Sequence, residues 1–140
     1  MSIEAKNPLV KVSSPGYNIL RKEAGKAKSE DLPSAQESSK VLSSFKDGQS
    51  VSAWAQANMA WAVENGITDG TSDTTFAPGT ICTRAHGVTF LSRAAKANTA
   101  SGNSNFADVD VNAYYASAVK WAVDNGITNG ISSSLFGPDS

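Results

Sequence analysis

WAVENGITDG (61–70) recurs as WAVDNGITNG (121–130), and this pair decides how the chain is read. Trp61 and Trp121 stand 60 residues apart, and at the same offset Phe76 matches Phe136 and Pro78 matches Pro138. Upstream, Val51-Ser-Ala-Trp54 matches Val111-Asn-Ala-Tyr114. Phe45-Lys-Asp47 matches Phe106-Ala-Asp108 after a one-residue gap. A fixed period of this kind marks a repeat architecture built from one supersecondary unit.

One complete unit spans 45–97 and a front half spans 106–140. Residues 1–27 are expected to supply a back half, because GYNILRKEAGKA (16–27) resembles GVTFLSRAAKA (87–97). Gly16 then falls on Gly87 and Leu20 on Leu91. Residues 28–44, including KSEDLPSAQESSK, and the small polar run NTASGNSN (98–105) are read as linkers too poor in apolar surface to order themselves.

Within a unit, residues 51–65 predict a helix. Gln56, Ala60 and Glu64 form a narrow stripe at i, i+4, i+8, matched by Ala116, Lys120 and Asp124. The remaining arc is mostly apolar or small, including Trp54, Met59, Trp61 and Val63, so the helix should pack on more than one neighbour. Trp61 and Trp121, mid-helix, are expected in the core. Trp54 and Tyr114, nearer the helix start, are expected to be partly exposed. Lys120 and Asp124 can pair across one turn.

Asn65-Gly66-Ile67 should end the helix, with glycine left-handed and isoleucine folding back on the last turn. Asn125-Gly126-Ile127 repeats the signal. Thr68-Asp69-Gly70 reads as a turn. Phe76 is expected to be buried, and Pro78-Gly79 to redirect the chain. Thr83 can cap a second helix that runs to about Ala97. Val88, Leu91 and Ala95 share a face with Gly87. Glycine costs about 1 kcal/mol relative to alanine inside a helix, so Gly87 predicts close approach of another backbone. The unit is helix, structured loop, helix. The fold class is all-α, a small pseudo-symmetric helical bundle.

Composition narrows the function. The length of 140 residues allows one domain or two small units packed together. The net charge of -1 gives no argument for nucleic acid or an anionic membrane. Residues 1–50 hold eight Lys/Arg against six Asp/Glu, and residues 51–140 four against seven, so the repeat-bearing part is mildly acidic. The single cysteine, Cys82, rules out an intrachain disulfide. No apolar run approaches the roughly 18 residues of a membrane span. MSIEAKNPLVKV lacks the apolar core of a secretory signal, so no signal peptide is expected within this chain.

Catalytic and metal chemistry find little support. No G-x-S-x-G elbow or glycine-rich phosphate loop occurs. Asp47, Asp69 and Asp73 lack calcium-loop spacing. Cys82 and His86 have no third partner for zinc, nor the pattern of a nucleophilic pair. No enzyme, cofactor or metal site is expected. The basic run Arg21, Lys22, Lys26 and Lys28 offers at most a weak, salt-screened attraction to an anionic polymer.

Taken in order, Phe45-Lys-Asp47, Trp54-Ala55, Trp61 to Ile67, Asp69-Gly70, Phe76-Ala-Pro78 and Thr83-Arg84-Ala85 resemble the S-layer homology (SLH) domain. The resemblance implies non-covalent anchoring of a larger exported protein at the bacterial cell surface. The partner it implies is a secondary cell-wall polysaccharide, often pyruvylated, held in grooves between repeats. It carries a binding role to Arg84, whose guanidinium fork suits the carboxylate of a pyruvyl ketal. Thr83, Trp54, Tyr114, Asp69 and Gly70 complete the candidate glycan site: aromatic rings to cover sugar faces, a glycine turn to bring backbone close.

The chain departs from the family pattern at His86, where glutamate or glutamine usually stands. A Thr-x-x-Glu arrangement makes a capping box, and His86 is not expected to reproduce it. Val12-Ser13 stand where Thr-Arg would, and 106–140 stops before such a motif, so at most one family-like groove is expected. The alternative reading is a structural or protein-interaction fragment of a larger surface protein. It would have no glycan affinity of its own and would self-associate through its half-repeats.

Overall fold

The computed structural model describes residues 32–140. The expected back half over 1–27, with its basic run, lies outside the described residues. Four α-helices occur among the described residues: α1 Ala35–Leu42, α2 Gln56–Glu64, α3 Arg84–Ala94 and α4 Ala116–Asp124. Two short 3-10 turns, Gly48–Ser50 and Ala53–Ala55, lead into α2. The expected helix over 51–65 thus opens with a tighter turn. No strand occurs among the described residues, where an isolated bridge joins Ser72 to Thr75. The fold class is all-α.

Both Asn-Gly-Ile signals end their helices as read. Gly66 has φ 67° and Gly126 φ 66°. Ile67 N–H donates to the Ala62 carbonyl at 2.9 Å and Gly66 N–H to that of Val63 at 3.0 Å. Ile127 and Gly126 do the same to Ala122 and Val123. These bonds satisfy carbonyls that a helix end otherwise leaves orphaned.

The loop after α2 is held from a distance. The Asp47 carboxylate accepts the N–H of Phe76 and of Ala77, each at 2.7 Å. Asp108 accepts those of Phe136 and Gly137, each at 2.8 Å. Beside each clamp two rings meet, Phe45 with Phe76 at 5.1 Å and Phe106 with Phe136 at 6.0 Å. The Phe-x-Asp and Phe-x-Pro motifs are therefore two sides of one closure. Gly70 must be glycine there: φ is 81°, and a Cβ would stand 2.6 Å from the Thr75 carbonyl oxygen and 2.8 Å from the Phe45 ring.

Among the described residues the core lies in two clusters. Leu42 of α1 joins Phe45, Val51, Ala55, Ala60 and Phe76. Val88 of α3 joins Phe106, Val109, Val119, Trp121 and Phe136, among others. Helix α1 packs on α2, and α3 packs on α4. Each core is thus sealed by a helix that precedes its own front half. The packed unit is out of phase with the sequence motif.

Several expectations are corrected. The stretch 28–44, read as linker, contains α1. Its Ser34 and Glu37 form a capping box, with Ser34 N–H donating to Glu37 at 2.8 Å. Leu42, 1% exposed, supplies the apolar anchor. In 98–105 no helix forms, but Ser104 is buried. Ala60, placed on the polar stripe of α2, is fully buried because α1 covers that side. Trp121 is buried as expected, whereas Trp61 is half-buried.

Helix α3 buries Ala85, Val88, Thr89 and Ser92, while Leu91 is 40% exposed. Small residues bring α3 close to α4. The Thr89 and Ser92 hydroxyls return to the Ala85 and Thr89 carbonyls at 2.8 and 2.9 Å, so neither is orphaned. Gly87 is not explained by close approach, because a Cβ there would meet nothing within 4 Å. Lys120 and Asp124 pair at 2.6 Å.

Candidate functional site

The out-of-phase packing leaves a cleft of about 640 Å³ between the two packed units. One wall is α2 and the loop after it, through Met59, Ile67, Asp69, Gly70 and Ile81. The other wall is the face of α3 turned away from α4, through His86, Phe90 and Arg93, with Tyr114 of the next unit at the rim. Most of the exposed lining area is apolar, with polar groups including Asp69, His86, Arg93 and Tyr114 set around it, an arrangement that suits small-ligand sites.

Tyr114 is 62% exposed, and its ring stacks against His86 at 6.2 Å and 29°. Tyr115 braces it edge-on at 5.0 Å and 89°. Partial burial pushes the Tyr114 hydroxyl above the ordinary tyrosine range, with Tyr115 and Asp139 adding to the rise. The phenol is thus a neutral donor and acceptor at physiological pH. His86 also lies against Phe90, at 6.3 Å and 18°. Arg93 Nη1 donates to the Ile67 carbonyl at 3.3 Å and to Asp69 Oδ1 at 3.0 Å. Asp69 itself is 79% exposed at the side chain.

The cleft gathers Asp69, Gly70 and Tyr114 from the predicted residues. It adds Arg93, Phe90 and Met59, which sequence reasoning did not single out. Thr83, Arg84 and Trp54 do not line it. Thr83 caps α3, with its hydroxyl accepting the His86 N–H at 3.3 Å. Contrary to expectation, His86 completes the capping box: its Nδ1 accepts the Thr83 N–H at 3.2 Å. An unprotonated ring nitrogen does here what a carboxylate oxygen does elsewhere.

Arg84 lies half-buried at the start of α3 and reaches the second unit. Its Nε donates to the Phe136 carbonyl at 2.9 Å, and its guanidinium carbon sits 4.8 Å over the Phe136 ring. The Arg84 and Ala85 N–H groups donate to the Ser140 and Pro138 carbonyls at 2.9 and 3.0 Å. Among the described residues Arg84 has no acidic partner, and its Nη atoms make no hydrogen bond. Trp54 is 83% exposed, and by its place in the repeat it is the first unit's counterpart of Tyr114. No group of three or more His, Cys, Asp or Glu suited to a metal occurs among the described residues, and no helix among them is long and apolar enough to cross a membrane.

Compared with known families, the chain matches the S-layer homology domain over residues 44–86 and again over 105–140. The chain belongs to the S-layer homology domain family. It is also 30% identical over 95 residues to the surface-layer 125 kDa protein of Lysinibacillus sphaericus, across 68% of this chain and 8% of that protein. The chain therefore spans less than a tenth of that relative's length. No solved structure gave a significant match. SLH domains are binding and anchoring modules that associate with the cell surface and bind cell-wall polysaccharide. In this SLH chain each matched segment contains one of the closures made by Asp47 and Asp108.

Proposed function

We propose that this SLH chain tethers a larger exported protein to the bacterial cell wall by binding a secondary wall polysaccharide, acidic and often pyruvylated. The observation that carries the reading is the cleft between consecutive packed units, where an exposed tyrosine ring, an arginine and a glycine turn converge on an apolar floor. The Tyr114 ring covers a sugar face while its hydroxyl meets sugar hydroxyls. Gly70, lacking a side chain, lets a sugar approach the backbone. Arg84 starts the helix whose outer face lines the cleft, and its Nη edge, which makes no hydrogen bond among the described residues, offers a second contact to an acidic group. The role is binding without turnover.

The test is recovery of the chain on purified wall sacculi, with and without their secondary polymer. Wild type is expected on the intact wall only. Tyr114→Ala should bind about tenfold more weakly, the loss of roughly one stacked ring. Arg84→Ala should also weaken binding, with its melting curve recorded because the side chain also ties α3 to Phe136. Recovery independent of the polymer would overturn the anchoring role. Equal recovery of wild type and Tyr114→Ala would overturn the place given to the cleft. Release of free sugars during incubation would overturn the non-catalytic reading.

A further inference from the structure

We propose that Asp69 is an internal placeholder on Arg93, and that the carboxylate of an acidic wall glycan displaces it when the cleft fills; this rests on the cleft being the glycan site. Arg93 is the arginine of the cleft lining, and Asp69 and His86 are the other His, Asp, Glu, Lys or Arg residues there. The Ile67 carbonyl holds the guanidinium at the cleft wall independently of Asp69. Asp69 touches it through a single oxygen on Nη1. Arg93 Nε and Nη2 make no hydrogen bond among the described residues. A carboxylate that engages two guanidinium N–H groups side by side makes a stronger contact than this one-point pair. Both partners reach solvent, with side chains 37% and 79% exposed, so the exchange requires no opening of the fold.

The chain contains its own control. Thr128-Asn129-Gly130 occupies the place of Thr68-Asp69-Gly70 in the second unit. The two turns are alike: Gly130 N–H donates to Thr128 Oγ1 at 3.1 Å and Gly70 N–H to Thr68 Oγ1 at 3.3 Å. The two glycines have φ 80° and 81°. The turn forms without a carboxylate at its middle position. The carboxylate of Asp69 is therefore dispensable for the turn itself, and its pairing with Arg93 is what distinguishes it from Asn129.

The experiment uses the whole chain and a matched pair of probes, the 4,6-pyruvyl ketal of a methyl hexopyranoside as free acid and as methyl ester. Binding is followed by NMR titration of wild type, Asp69→Asn and Asp69→Asn/Arg93→Gln. Asp69→Asn should bind the acid about threefold to fivefold more tightly, the range of one exposed ion pair, and the ester unchanged. The gain should shrink as salt rises and vanish in the double variant. Weaker or equal binding of the acid by Asp69→Asn overturns the placeholder while leaving a glycan cleft in place. If neither probe shifts the cleft resonances in any of the three chains, the cleft reading fails and this inference fails with it.

Discussion

Asp47 and Asp108 each spend both carboxylate oxygens on backbone N–H groups of a loop about thirty residues away. The N–H of Phe76 holds the Asp47 carboxyl below its ordinary range, with that of Ala77 adding to it. The N–H of Phe136 does the same for Asp108. Above the unfolded value of about 3.9 both states are ionised and the clamp contributes fully. As pH falls below that value the unfolded chain takes up the proton first, and the contribution is lost through the lowered folded value. Melting temperature should therefore fall steeply below about pH 4. Asp47→Asn replaces one acceptor oxygen with a donor amide facing an N–H. It should melt several degrees lower at neutral pH and show a shallower acid limb in circular dichroism melts. An unchanged acid limb in Asp47→Asn/Asp108→Asn would assign the acid sensitivity elsewhere. These aspartates were visible in the sequence as part of a repeated spelling, and Asp47 also as a carboxylate without calcium-loop spacing. Their purpose was not legible, because the partners are backbone groups brought near by the fold.

At the scale of the element, helix ends were the most legible feature. Asn-Gly-Ile carries its own geometry, since a left-handed glycine and a returning isoleucine need only neighbouring residues. Thr83 was legible as a cap for the same reason. The Ser34–Glu37 box was equally local, but the Ser-rich polar run around it obscured a helix anchored mainly through Leu42. Gly87 and the polar stripe through Ala60 were misread because burial depends on which helix arrives, and that is not local information. The site divides in the same way: Asp69 and Gly70 advertise themselves as a turn, whereas Arg93 enters the cleft only because the loop 24 to 26 residues earlier folds against α3. His86 offers the test at this scale. His86→Ala should cost about 1 kcal/mol in urea unfolding through loss of the box. His86→Glu should match or exceed wild type by about 0.5 kcal/mol, since a carboxylate also complements the positive end of the helix. The same glutamate adds a negative charge to the cleft, so it should weaken capture on acidic wall polymer. A glutamate variant less stable than wild type would show that the ring stacking on Phe90 and Tyr114 outweighs the gain at the cap.

At the largest scale, the described residues form two cores joined by α3. One face of that helix is buried against α4, its other face lines the cleft, and its first N–H groups bond the Pro138 and Ser140 carbonyls. Phe136, 2% exposed, sits where the second clamp, the second core and Arg84 meet. Phe136→Ala should cost about 3–5 kcal/mol, a large part of the stability of a small domain. Hydrogen exchange should then show protection lost over α3 and α4 and retained over α1 and α2, because the first core contains none of the same residues. Uniform loss across all four helices would instead show one cooperative unit.

The offset between motif and packed unit also bears on how such genes are rearranged. A crossover in the DNA encoding 77–82 passes each core to the recombinant intact, together with the helix that seals it. A crossover at 98–105, where the spelled repeat ends, parts Val88 from Phe106 and Val109 and leaves the incoming front half uncovered. Chimeras joined at the first position should fold with unrelated neighbours, and those joined at the second should need a compatible preceding helix. What such genes can exchange freely is a closing helix with the front half that follows it.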